Sequence, residues 1–179
     1  MTEHWKKTPR KTADIIRNQD FYQITTMSIG MLGFPEPNMP FQVFGLDVTD
    51  EEIGRRIRDA LAASRMVSMD EFQEIWRNKD QMITKRSAEF NDLLMKQYGY
   101  KNRRELYRNM DICGVTLREG KIEVQPTHQK ALDGSYTVKK DTGPFAQYIL
   151  ETASDAELGA AIREGFSRCT SAASVARAK

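Results

Sequence analysis

Thr49-Asp-Glu-Glu-Ile-Gly-Arg-Arg-Ile-Arg-Asp-Ala-Leu61 returns, at a constant offset of 105, as Ser154-Asp-Ala-Glu-Leu-Gly-Ala-Ala-Ile-Arg-Glu-Gly-Phe166. Asp50/Asp155, Glu52/Glu157, Gly54/Gly159, Ile57/Ile162 and Arg58/Arg163 are identical. Each copy opens with a capping box, a hydroxyl residue that bonds forward and a glutamate three residues on that reaches back. Each then places apolar residues on one helical face, as Ile53, Ile57 and Leu61 do in the first. The glycine near the start costs about 1 kcal/mol against alanine in a helix, so close approach to a neighbouring backbone is expected to offset it. Each copy also follows a segment of strand character. The fold this implies is α+β, a mainly antiparallel sheet with helices packed on it and two strand-helix pseudo-repeats. Convergence is the competing explanation, because capped amphipathic helices are common.

Working outward, residues 21–30 favour a strand through Tyr22, Ile24, Thr25, Thr26 and Ile29. Gly30, Gly33, Pro35, Pro37 and Pro40 then crowd a segment that can be neither helix nor central strand. A second strand is expected over 41–48. Ser68 with Glu71 repeats the capping signature, and helical character continues past a break near Asn78 to a glycine C-cap at Gly99. Asn102 is expected to cap a short helix over 105–110. Residues 112–117 and 121–125 alternate around Glu119-Gly120, which predicts a hairpin. A short strand over 136–139, another over 145–151 and a final helix from Ser154 complete the reading. Residues 1–20, with Lys6, Lys7, Arg10, Lys11 and Arg17, read as a basic leader, 21–170 as one domain and 171–179 as a flexible tail.

A chain of 179 residues can bury roughly 70% of its unfolded surface, enough for a core without staples. Its formal charge of +2 is too small for the broad positive field of a nucleic-acid binder. No apolar stretch is long enough to span a bilayer, and the N-terminus lacks the apolar region of a secretory signal, so a cytoplasmic location is expected. There, Cys113 and Cys169 would remain reduced.

The residues offer little catalytic chemistry. His4, Cys113, His128 and Cys169 are scattered without metal-ligand spacing, so no metal or other cofactor is expected. His128 is the one useful base, with Thr127, Tyr136 or Cys113 as its conceivable nucleophilic partner; a surface histidine is the plainer reading. Gly30-Met-Leu-Gly33 matches neither a dinucleotide fingerprint nor a phosphate loop. Asp47, Asp50, Glu51 and Glu52, like Asp70, Glu71 and Glu74, sit where helix N-termini attract carboxylates. The methionines could line an adaptable surface, although core filling is commoner.

Together with the two glycine-bearing helices, Tyr98-Gly-Tyr-Lys-Asn-Arg-Arg-Glu-Leu-Tyr-Arg-Asn-Met110, the following Cys113, the hairpin ending Ile122-Glu-Val-Gln-Pro126, Leu61-Ala-Ala-Ser-Arg65 and the closing run from Ser154 to Cys169 give the chain a family likeness. It resembles the immunity proteins of contact-dependent growth inhibition systems over roughly residues 45–169. These are scaffold motifs. The resemblance implies a protein that binds the C-terminal toxin domain delivered by a neighbouring cell, often a nuclease, and catalyses nothing. Glu36, Glu119, Glu123 and Asp133 would then be candidates to meet the toxin, with Phe34 as an apolar anchor. The rival readings are a small enzyme, a hydrolase or transferase working through His128 and nearby carboxylates, and an RNA-binding module using Arg103, Arg104, Arg108 and the basic leader.

Overall fold

The computed structural model describes residues 8–138 and 141–173. In chain order the elements are β1 (Arg10–Arg17), β2 (Tyr22–Ile29), β3 (Gly33–Pro35), β4 (Gln42–Phe44), α1 (Asp50–Ala63), α2 (Met69–Arg77), α3 (Arg86–Tyr98), α4 (Arg103–Tyr107), β5 (Asp111–Arg118), β6 (Lys121–Pro126), β7 (His128–Gln129), β8 (Tyr136–Thr137), β9 (Gln147–Leu150), α5 (Asp155–Arg168) and β10 (Thr170–Ser171). A π-helical turn, Asp80–Lys85, joins α2 to α3 across the break at Asn78. Gly99 ends α3 in the left-handed conformation at φ 77°.

Seven strands form one antiparallel sheet in the order β3-β2-β1-β5-β6-β9, with β4 also paired to β2. The residues read as a basic leader are corrected here: Arg10–Arg17 is β1, in the interior of the sheet between β2 and β5. Its charges hid an alternation in which Ala13 and Ile15 are fully buried on one face while Arg10, Thr12 and Asp14 face the other. At the other end, Ser171, assigned to the tail, pairs with Gln129 in a small sheet of β10, β7 and β8. Residues 174–179 of that tail, and Lys6 and Lys7, lie outside the described residues. The helix capped by Asn102 starts at Arg103, earlier than expected, because Glu105 donates its backbone N–H to the Asn102 side chain.

The repeated stretches are α1 and α5, packed side by side on one sheet face. A Cβ on Gly54 would overlap the Asp155 carbonyl, and one on Gly159 would overlap the Asp50 carbonyl. Each helix thus receives the first turn of the other where only glycine fits. The charges reciprocate as well: Arg58 Nε donates to Asp155 at 2.7 Å and Arg163 Nε donates to Asp50. Arg58 also donates to the Ala153 carbonyl and Arg163 to that of Val48, equivalent positions at the same offset. Thr49 and Ser154 both accept from the third helical residue. The full capping box forms only at α5, since the Glu52 carboxylate turns outward to Arg55 and Arg56.

This reciprocity extends into the sheet. The hairpin β1-β2 is followed by β4 on the outer side of β2 and then α1; the hairpin β5-β6 is followed by β9 on the outer side of β6 and then α5. The two units meet at β1 and β5, with Asp14 opposite Gly114. Ala13, Ile15, Ile24, Cys113, Val115, Ile122 and Val124 meet Ile53, Ile57, Leu158, Ile162 and Phe166 in the main core.

Candidate functional site

The opposite face of the sheet is covered only in part. Around Phe21 and Ile16, the residues Leu94, Leu106, Met110, Phe90 and Tyr107 from α3, α4 and the link before β5 form a second core. Beyond it the same face opens into a cleft of about 830 Å³, lined by Arg10, Thr12, Asp14, Gly114, Thr116, Arg118, Glu119, Lys121, Glu123 and Tyr148, with Met27, Ile29 and Gly33 along one wall. Strand alternation puts these side chains together, because every second residue of β1, β5, β6 and β9 points this way.

The registers sort the cleft into rows. Arg10, Arg118 and Lys121 are successive cross-strand partners at its outer end. Thr12, Thr116, Glu123 and Tyr148 form the next row, in which the Tyr148 hydroxyl bonds to Glu123, raising the tyrosine pKa. Asp14 and Gly114 form the floor. Burial raises the Asp14 carboxyl from 3.8 to about 6. The hairpin that carries Glu119 turns at two positive-φ residues, Glu119 at 50° and Gly120 at 74°, as a two-residue turn matched to strand twist requires. Arg118 lies 3.9 Å from the Glu119 carboxylate.

Of the five expected contact residues, the structure gathers Glu119 and Glu123 in this cleft. Asp133 is exposed but outside it, in a turn where its carboxylate accepts from the Ser135 backbone N–H at 2.9 Å. Phe34 and Glu36, expected on the surface, are each only 2% exposed. Phe34 packs with Val67, Phe72 and Ile75 beneath α2. Burial pushes the Glu36 carboxyl up, but hydrogen bonds from Arg65, Ser28 and Asn38 outweigh it and hold the pKa below the usual range. Glu36 accepts from Ser28 at 2.6 Å and from Arg65 at 3.0 Å, so it ties the loop after β3 to β2 and to the link between α1 and α2. Proline and glycine signals identified the loop, but nothing in them showed that it folds inward.

Asp14, Thr12 and Arg10 were missed as site residues because they were read as leader. Ala13 and Ile15 alternating with polar neighbours were the available signal.

The rival chemistries find less support. His128 Nδ1 lies 2.7 Å from the Thr170 hydroxyl, while Thr127 and Tyr136 donate to the Ile112 and Met110 carbonyls. Cys113 and Cys169 are free thiols with Sγ atoms 3.7 Å apart; the neighbouring sulfur and burial push the Cys113 thiol up. Among the described residues there is no group of three or more His, Cys, Asp or Glu that could hold a metal ion, and no helix long and apolar enough to cross a membrane. Arg103 lies 3.5 Å from Asp92 and Arg17 lies 3.3 Å from Asp111, so two of these basic residues already face a carboxylate of the chain.

The family model described as CdiI, CDI immunity protein, matches residues 11–169. The chain belongs to the CDI immunity protein family. It is 27% identical over 169 residues to the immunity protein CdiI-YPIII of Yersinia pseudotuberculosis serotype O:3 (strain YPIII), covering 88% of this chain and 94% of that one. Two solved structures share the fold. A Neisseria meningitidis protein of unknown function superposes with a TM-score of 0.80 at 24% identity, over 90% of this chain and 96% of that one. The CdiA-CT/CdiI toxin and immunity complex from Yersinia pseudotuberculosis gives 0.78 at 23%, over 90% of this chain and 98% of the matched chain. The family match starts inside β1, in keeping with that strand's place within the folded domain.

Proposed function

We propose that this chain binds the C-terminal toxin domain of a contact-dependent growth inhibition system in the cytoplasm of the cell that makes it, and neutralises that domain stoichiometrically without catalysing a reaction. The observation that carries this reading is the family match across residues 11–169. The related Yersinia structure, a complex of toxin and immunity protein, is the precedent for the mode of action.

The open cleft is the surface we assign to the toxin, with Glu119 and Glu123 its outward carboxylates. It is concave, carried on strands whose positions the helix-covered face fixes, and presents charges of both signs. A patterned protein surface can match such a mixture, and complementary charges favour the encounter and the register of docking. A polyanion fits it poorly, because Asp14, Glu119 and Glu123 would repel phosphates beside Arg10, Arg118 and Lys121. The toxin is read as a nuclease, whose substrate-binding lysines and arginines would meet the two glutamates.

Co-expression of this chain with the toxin domain encoded immediately upstream of its gene, followed by calorimetric titration of the purified pair, tests the reading. Survival with tight one-to-one binding is the expected result. The absence of both rescue and binding would overturn it.

A further inference from the structure

Asp14 stands apart from the other carboxylates of the cleft. It sits at the centre of the β1-β5 register opposite Gly114, between the open cleft and the covered half of the face, lining both. Among the described residues it makes no hydrogen bond or ion pair. Its neighbour on β2 is Thr25, whose hydroxyl accepts from Gln23, but its neighbour on β5 contributes no side chain, and a Cβ on Gly114 would meet only the Asp14 Oδ1 atom, at 3.7 Å. The space above the carboxylate is therefore open toward the cleft. The nearest cationic row, Arg10 with Arg118 and Lys121, has its Cα atoms four residues along, about 13 Å away at strand rise, and among the described residues none of the three pairs with Asp14.

A carboxylate held partly out of water without a partner destabilises the free fold. Its charge is satisfied only when something brings a cation to it. One carboxylate without clustered ligands suits a single ammonium or guanidinium rather than a metal ion, and both groups carry their charge on a long stem able to cross a cleft. Thr12 and Thr116 flank the approach with hydroxyls that can accept the remaining N–H donors.

Resting on the toxin-binding reading above, we infer that Asp14 receives one basic side chain of the toxin domain, a lysine or arginine that enters the cleft over Gly114 and pairs with the carboxylate.

The other charged or titratable groups facing Asp14 from the cleft are Arg10, Arg118, Glu119, Lys121, Glu123 and Tyr148; Tyr107 and Tyr136 face it from the covered side. Removing the Asp14 charge alone isolates its contribution from theirs and from any histidine on the toxin.

Calorimetric titration of the upstream-encoded toxin domain into wild type, Asp14→Asn and Gly114→Val at pH 7.5 and 5.5 tests the inference. Asp14→Asn keeps the shape and removes the charge, and truncating one partner of a buried charge pair is expected to weaken binding about 30-fold or more. Gly114→Val leaves the carboxylate and fills the space above it, and is expected to weaken binding by a similar factor. With the free Asp14 carboxyl titrating at about 6, wild-type affinity falls about fourfold more from pH 7.5 to 5.5 than that of Asp14→Asn, because the pair needs the ionised acid. Wild-type-like binding and pH dependence in Asp14→Asn would overturn the inference while leaving neutralisation intact. Failure of the wild-type chain to bind the toxin domain at either pH would overturn the neutralisation reading itself.

Discussion

The two faces of the central sheet are built to opposite rules. On one, α1 and α5 meet through glycines, reciprocal arginine-aspartate pairs and a continuous apolar core, and what one unit does the other repeats. On the other, symmetry stops: α3 and α4 cover one part, and the rest exposes a cleft in which charged side chains of both signs stand side by side. The repeated face fixes where the strands lie. The unrepeated face is free to differ, and it holds Asp14, a carboxylate without a partner among the described residues.

The sharpest way to break this contrast is at the glycines. Gly54→Ala and Gly159→Ala each drive a methyl into the backbone of the partner helix and should each cost about 4 kcal/mol, at the extreme of single substitutions. Urea denaturation checks this. If one variant were tolerated and the other not, the reciprocity would be only superficial.

Asp14→Asn should act in the opposite direction. The folded pKa of about 6 exceeds the ordinary 3.8, so the folded chain holds that proton more tightly than the unfolded chain. Wild-type stability contributed by this group is fully present below pH 3.8 and lost as pH rises through 6. At pH 7 the amide should therefore stabilise the free protein by about 1–3 kcal/mol, with the advantage fading below pH 4. Thermal melts across that range decide it; an equal or lower Tm at pH 7 would mean that the carboxylate costs the free fold nothing.

Arg58→Ala and Arg163→Ala should each lose about 1 kcal/mol, a modest value because the pairs are partly exposed. The two losses should match to within a few tenths in equilibrium unfolding. Smallest of all in stability is Tyr148→Ala, expected to change unfolding free energy by less than about 0.5 kcal/mol because the side chain is 62% exposed. Toxin affinity, measured by calorimetry, should nevertheless fall.

The same contrast governs what the sequence disclosed. Helix caps, the hairpin at Glu119-Gly120 and the echo between residues 49–61 and 154–166 are local or periodic signals, and from them the α+β class and the close helical approach at Gly54 and Gly159 could be read. The centre of the sheet could not. Arg10–Arg17 carries three cations and one carboxylate, and in a strand whose second face is a polar cleft such residues resemble a solvated segment. Glu36 escaped because its burial depends on Arg65, 29 positions away, and Phe34 because the proline-rich loop around it folds beneath α2. Glu119 and Glu123 were legible as candidates, but the row that includes Tyr148 exists only once β9 pairs with β6.

The glycine contact between α1 and α5 carries a consequence for divergence. When two helices touch backbone to backbone, their separation is set by atoms that side-chain substitution cannot resize. Drift in the cleft is thereby uncoupled from the spacing of the strands beneath it, and a lineage can change its partner one residue at a time while inheriting the same chassis.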